Sequence, residues 1–328
     1  MCILLLFLVK CIGGDVIEFC AKYGTDYVDI TGEVDWHKEM IMKWDETAQA
    51  TGAKIISFCG NDSVPWDMTV YKMGKKLKEE CKDDLAEVQL FDDYKGDGPS
   101  GGTLATVLLA IDGKAISGEH PFNPLYKKAD GTKSPFSVVG ENVALPGKVK
   151  GVERFSNNYE GPFVMSAVNT EVVKRSHALR SEGNEKLVYR ESLMSKDWKT
   201  AFLNWFGLIA YGTVLFTPIR GWVIPKPGEG PSRKSMEAGY LTVAGYGVGS
   251  KGNIVETLLY FPRETGYLDT ARMLMESGLC LALNKKDLPV NKGGFYTPST
   301  GMGDALMTRL CKTGCMFASK TTKIQSKL

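Results

Sequence analysis

Between Asp15 and Pro65 the chain switches between helical and extended patterning at intervals that suit helices layered on a parallel sheet. Asp15-Val16-Ile17-Glu18-Phe19-Cys20 has helical spacing and runs out near Gly24, and Tyr27-Val28-Asp29-Ile30 is a short apolar strand. Thr31-Gly32-Glu33 then opens a helix whose Trp36, Met40, Ile41, Trp44 and Ala48 share one face, with Gly52 closing it. The next strand is Ala53-Lys54-Ile55-Ile56-Ser57-Phe58. It runs into Cys59-Gly60-Asn61-Asp62-Ser63-Val64-Pro65, where Asp62 or Ser63 can cap a helix carrying Pro65 in its first turn. Strands separated by helices are parallel neighbours, and an open parallel sheet binds ligands beyond the carboxyl ends of its strands. The turns Thr31–Glu33 and Gly60–Pro65 both lie at such ends. Aligned amide groups at the second helix start favour a negative or carbonyl-bearing ligand. Within Asp15–Pro65 no strand is followed by G-x-G-x-x-G, and G-x-x-x-x-G-K-[ST] occurs nowhere in the chain. A half-sheet of this kind also calls for something on its open edge, a second copy of the chain being one candidate.

After Glu80 the texture changes. Ala86 to Gly96 alternates like a strand, and Gly96-Asp97-Gly98-Pro99-Ser100-Gly101-Gly102-Thr103 opens a helix from Leu104 to Ile111. Close approach of backbone to a ligand would explain that glycine density, and so would a tight turn. Phe163–Val168, Lys186–Glu191, Tyr240–Gly247 and Ile254–Phe261 read as strands of a second, more antiparallel sheet, and the polar stretch Asp130–Arg154 as a surface excursion. Thr265-Gly266-Tyr267 leads into a helix ending near Ala282. Gly293-Gly294-Phe295-Tyr296-Thr297-Pro298 precedes a last one from Gly303 to about Lys312.

Composition removes several functional classes. Forty Lys and Arg against 38 Asp and Glu leave a net charge of +2, far from the field that phosphate-dominated binding needs, so no nucleic acid is expected. Eight cysteines include no CxxC pair, and His37, His120 and His177 lie far apart, so no metal set is read. The cysteines read as ordinary half-buried thiols, and His37, among helical charges, as solvated. No paired histidine supports a hydrolase.

Three apolar or terminal features remain. The run from Met1 to Gly13 resembles a signal core without its basic flank or cleavage site, and a buried parallel strand explains it as well. Ser326-Lys327-Leu328 matches the address read by the peroxisomal import receptor, after a polar, basic tail with Lys320 and Lys323. The expected location is therefore a peroxisome or glycosome-type organelle. Ala201 to Ile219 carries no charge, and a buried, membrane-surface or spanning helix is open to it. Beside Trp198, Trp205 and Trp222, the surface variant would suit an enzyme working on lipid.

Several segments together resemble the saccharopine dehydrogenase-like oxidoreductases, and more closely the branch that includes the trans-acting enoyl reductases of lipid synthesis. They are Gly24–Glu33, Gly52–Ile56, Cys59–Pro65, Pro99–Thr103, Gly161-Pro162-Phe163, Gly230-Pro231-Ser232, and Gly293–Pro298 with Gly303. The resemblance runs from about Asp15 to Phe317 in the family's order. It departs at Asn61, where an aromatic is usual, and at Trp66 and Thr69.

The resemblance implies an α/β chain: residues 1–85 as the later part of a Rossmann-like dinucleotide-binding domain, 86–265 as a mixed α+β substrate or dimerisation domain, and 266–328 as closing helices that return to the first domain plus the targeting tail. It implies a nicotinamide cofactor, NAD or NADP, and hydride transfer to or from an imine, carbonyl or enoyl group. Carried over by position, Thr31, Gly32, Glu33, Gly60 and Pro65 border the cofactor. Asp62, Ser63 and Thr31 stand beside the transfer, and Ser100, Gly101, Gly102 and Thr103 approach the substrate. Capping and turn formation account for the same polar groups without catalysis. The family's first strands and glycine-rich dinucleotide turn, roughly a hundred residues, have no counterpart here. The favoured expectation is a longer reading frame; the alternative is a shortened, non-catalytic protein associated with lipid or membrane.

Overall fold

The computed structural model describes residues 2–5, 9–61, 63–96, 98, 137–180, 183–218, 220–223, 225, 226 and 229–324. Two sheets share one core. The first takes β1 (Cys2–Leu5), β2 (Asp26–Asp29), β3 (Lys54–Ile56) and β11 (Gly294–Tyr296) in that order, every pair parallel. The opening apolar run thus supplies a strand, with Ile3 opposite Tyr27 and Leu4 opposite Val28. Helices α1 (Val9–Tyr23) and α2 (Val34–Thr51) cross between these strands. They bury Ile17, Cys20, Trp36, Met40 and Ala48 against Tyr27, Ile55 and Phe295. Gly52 ends α2 at φ +85°, a left-handed conformation suited to glycine.

Helix α3 (Val64–Cys81) leaves β3 and lies on the second sheet. That sheet runs β12 (Met316–Thr322), β10 (Ile254–Phe261), β9 (Tyr240–Gly249), β4 (Leu85–Lys95), β8 (Lys186–Ser195), β7 (Tyr159–Gly161), β6 (Gly147–Lys148), with β5 (Ser137–Asn142) also on β8. Its β4–β8 and β5–β8 pairs are parallel and the others antiparallel. Two glycines of β9 let α3 come close. A Cβ at Gly247 would stand 2.7 Å from Met73 Cε, and one at Gly245 3.1 Å from Met73 Sδ. The chain is completed by α4 (Ser166–Arg180), α5 (Trp198–Leu215), short α6 (Arg220–Val223) and α7 (Arg233–Glu237), then α8 (Leu268–Leu283), α9 (Pro298–Gly301) and α10 (Gly303–Lys312). One core joins Val28 and Ile56 of the first sheet, Trp66 and Met73 of α3, Val88 and Leu90 of the second sheet, and Leu274 and Leu306 of the closing helices.

Four expectations are corrected. Phe163–Val168 is not a strand: Tyr159–Gly161 is, and helix begins at Ser166. The short apolar run continues into buried Asn169, Val172, Val173 and Ser176, a helical spacing that polar residues disguise. The excursion Asp130–Arg154 contains β5, whose polar sequence SVVGEN belongs to a strand exposed along most of its length. The basic tail begins as β12, an alternately exposed strand held by backbone pairing to β10. His37 is not solvated but almost wholly buried. The helix Leu104–Ile111 lies outside the described residues.

Candidate active site at the carboxyl edge of the parallel sheet

β2 ends in Asp29, and its fully buried carboxylate organises the turn that follows. It accepts from the Thr31 backbone N–H at 3.0 Å and from Ser57 Oγ at 3.1 Å. Burial pushes Asp29 up to about 6, against the pull of these hydrogen bonds. Thr31 Oγ1 in turn accepts from the Glu33 N–H at 3.1 Å, so two consecutive side-chain-to-backbone bonds fix the entry to α2. Glu33 holds the N-cap position without a side-chain capping bond.

The exit from β3 meets this turn directly. The Cys59 N–H donates to the Asp29 carbonyl at 2.8 Å, prolonging the strand pairing past Ile56. Phe58 has φ +62°, a left-handed backbone uncommon for a bulky side chain, and its buried ring meets the His37 ring edge-on at 5.0 Å. Gly60 is closely packed: a Cβ there would lie 3.0 Å from both Ile30 Cγ2 and Thr270 Cγ2. The Asn61 N–H donates to Thr270 Oγ1 at 2.9 Å, tying the turn to α8. Asn61 Oδ1 is buried with no hydrogen-bond partner among the described residues. Pro65 lies in the first turn of α3, and its carbonyl accepts from Thr69 Oγ1 at 2.7 Å.

Ser63 occupies the N-cap position of α3 but makes no side-chain capping bond. Its hydroxyl reaches across to Asn169 Oδ1 on α4 at 3.2 Å. Asn169 Nδ2 donates to Glu191 Oε1 on β8 at 2.7 Å, and Tyr189 donates to Glu191 Oε2 at 2.6 Å. One turn into α3, Trp66 Nε1 donates to Asp92 Oδ1 on β4 at 2.8 Å, while Asp92 Oδ2 is buried without a partner among the described residues. Asp92 is held well above the carboxylate range by burial and then by the Glu191 charge. Burial raises Glu191 to about 8 despite its two donors. The two carboxyls therefore retain a proton between them at neutral pH.

Thr31, Gly32, Glu33, Gly60, Ser63 and Pro65 thus gather at adjoining ends of two parallel strands, as the strand pattern expects. Asp62, Ser100, Gly101, Gly102 and Thr103 lie outside the described residues. Thr31 and Ser63 are buried, whereas Gly32 and Glu33 are half-buried. Sequence reasoning missed Asp92, Asn169, Tyr189 and Glu191. A signal for the carboxyls existed: Asp92 is in phase with core-facing Val88 and Leu90, and Glu191 with Leu187 and Tyr189. It also missed the buried pair of His37 and Arg175. Burial, then the Arg175 charge, pushes His37 down to about 3; Arg175 reaches the Phe295 carbonyl at 3.4 Å, and its Nε is buried without a partner among the described residues. An open groove of about 430 Å³ lined by Lys72, Asp304, Met307 and Phe317, among others, shares no residue with this edge.

The edge suits the nicotinamide end of a dinucleotide, since Asn61 Oδ1 is an unmatched acceptor beside the turn amides and a carboxamide NH2 is its complement. No G-x-G-x-x-G sequence lies between Met1 and Pro65, so no phosphate contact is assigned at this edge. Among the described residues, no group of three His, Cys, Asp or Glu could hold a metal ion.

No family model matches the chain. Among curated proteins it is similar to the trans-acting enoyl reductase of Mycobacterium tuberculosis, 30% identical over 324 residues, covering 94% of this chain and 77% of that protein. The trans-acting enoyl reductase of Mycobacterium ulcerans is 30% identical over 325 residues, with the same coverage of 94% and 77%. Among solved structures, the saccharopine dehydrogenase (L-Glu forming) of Saccharomyces cerevisiae aligns over 98% of this chain and 85% of its own, at 9% identity and a TM-score of 0.47.

Proposed function

The chain belongs to the trans-acting enoyl reductase branch of the saccharopine dehydrogenase-like oxidoreductases, and from that premise we propose that it reduces the C=C bond of a lipid-linked enoyl group with NADPH or NADH. Its role is that of an oxidoreductase. The observation that supports this reading is the meeting of the Asp29-anchored turn with Gly60, Asn61 and Ser63, where Ser63 is bonded through Asn169 to the buried Glu191.

The nicotinamide would supply the hydride. Asn61 Oδ1 and the Gly32 backbone amide would orient its carboxamide end. Because Asn169 Nδ2 is committed to Glu191, Asn169 Oδ1 faces Ser63 and accepts the hydrogen bond that the Ser63 hydroxyl donates. Ser63 is left as an acceptor that positions the turn. The Thr31 oxygen accepts from the Glu33 N–H and keeps its own proton to donate, so Thr31 is the hydroxyl suited to a developing enolate oxygen. Glu33 is the carboxyl among the described residues of the two turns, and the half-buried group we assign to proton exchange with solvent.

Titrating the full chain with NADPH and NADH and following cofactor fluorescence tests this reading, with cofactor oxidation in the presence of a trans-2-enoyl thioester as the second readout. Saturable binding and turnover are expected, with kcat falling on the order of a hundredfold in Thr31→Val. Binding of neither dinucleotide would overturn the reductase. Import through Ser326-Lys327-Leu328 is part of the same proposal, and a tail-deleted chain that still reaches the organelle would refute it.

A further inference from the structure

Helix α5 is apolar around its whole circumference, a composition normally met only in buried or lipid-embedded helices, yet only Ala201 and Leu215 of it are buried. The five consecutive residues Phe206, Gly207, Leu208, Ile209 and Ala210 are all exposed. At about 100° per residue they ring the axis, so this turn meets solvent on every side. Phe206 is 56% exposed, Ile209 47% and Leu208 38%. Around the turn stand more exposed apolar groups: Trp198, Leu203, Phe216 and Trp222, the last 94% exposed. Trp198, Phe202, Trp205 and Phe206 form an aromatic ladder, with Phe202 5.2, 5.6 and 6.3 Å from the other three rings. The helix is rooted at its start, where Asp197 accepts from the Thr200 N–H at 2.9 Å and Ala201 packs against β7.

We infer that α5 and the following short helix α6 are a membrane-surface anchor, entering the headgroup and upper acyl region of an anionic lipid layer. A protein partner, including a second copy of this chain, covers one side of a helix. Acyl chains wet all sides, which is what the exposed ring at 206–210 requires. Charge points the same way. Between Lys196 and Gly239 there are six basic side chains (Lys196, Lys199, Arg220, Lys226, Arg233, Lys234) against three acidic, in a chain whose whole balance is +2. All but half-buried Arg220 are exposed. Basic residues flanking an apolar, tryptophan-rich segment favour an anionic lipid surface. No helix among the described residues is long and apolar enough to cross a membrane.

Co-flotation of the full chain with phosphatidylcholine vesicles containing about one third phosphatidylglycerol tests this. Vesicle binding needs no cofactor or turnover, so its outcome is separate from that of the reductase. The wild-type chain is expected to float with these vesicles and its tryptophan emission to shift to the blue. Phe206→Ser and Ile209→Ser should each weaken binding about tenfold, as removal of one large buried side chain does. Lys199→Glu should weaken binding to anionic vesicles about fivefold and leave the weaker binding to neutral vesicles unchanged. Circular dichroism melting of the variants should match the wild type, since these side chains are exposed. A wild-type chain that stays unbound would overturn the anchor. So would sedimentation showing a dimer that Phe206→Ser dissociates, which would make the occupant a second copy.

Discussion

The carboxyl cluster beneath the sheet edge and helix α5 invert the usual partition of residues in opposite senses. Asp92 and Glu191 are acidic and fully enclosed; Phe206 and Ile209 are apolar and face water. The inside case is compensated within the fold, because Trp66, Asn169 and Tyr189 donate to the carboxyls and the residual charge is reduced by holding a proton. The outside case has no such compensation within the chain. Polar burial here is met by hydrogen bonds that converge from three elements, α3, α4 and β8, whereas apolar exposure on α5 calls for a medium outside the molecule.

The sharpest way to break this contrast is Trp66→Ala. It removes the largest fully buried side chain and leaves Asp92 without its donor, and we expect a loss of about 4 kcal/mol in denaturant unfolding. A loss below about 1 kcal/mol would mean that the carboxyl cluster is not closed.

Titration gives the next largest effect. Glu191, raised to about 8 in the fold against an ordinary 4.5, keeps its proton longer in the folded than in the unfolded chain. Its contribution is therefore complete at pH below about 4.5 and declines as pH rises towards 8, by a few kcal/mol at most. Melting temperature should fall from pH 5 to 8.5 in the wild type and run flatter in Glu191→Gln. His37 works on the acid side: held down to about 3 in the fold, it contributes fully above its unfolded value of about 6.5, and that contribution is lost as pH falls from there towards 3. His37→Phe should flatten the acid limb of the same melting series.

Gly60→Ala should cost about 1–3 kcal/mol, since Ile30 and Thr270 must both yield to the new methyl, and should displace the Asn61 turn. If cofactor binding survives that substitution unchanged, the turn is not part of the site. Smallest of all, Phe206→Ser should change stability by less than about 0.5 kcal/mol in detergent-free solution, the counterpart of the Trp66 result.

The first sheet was legible because its signals are local: Gly52 stops α2, Pro65 starts α3, and the apolar runs of β2 and β3 are short and bounded by turns. Sequence separation hid the rest. β11 joins β3 from about 240 residues away, pairing Phe295 with Ile55, and the Ser63–Asn169 bond spans 106 positions. Helix α4 was misread where its buried face is Asn169, Thr170 and Ser176, polar residues whose burial depends on partners in α3, β8 and α9.

By itself the sequence determined the alternation of helix and strand, the carboxyl-edge position of Thr31–Glu33 and Gly60–Pro65, and the uncharged stretch that became α5. Periodicity and turn chemistry act within a few residues of one another, so they can be read along the chain. Tertiary structure alone decided that Ser63 turns from its own helix to Asn169, that two carboxyls share a buried site with Trp66, and that α5 faces outward. Each depends on which distant surfaces meet, and hydrogen bonding and burial are properties of those meetings rather than of the residues taken singly.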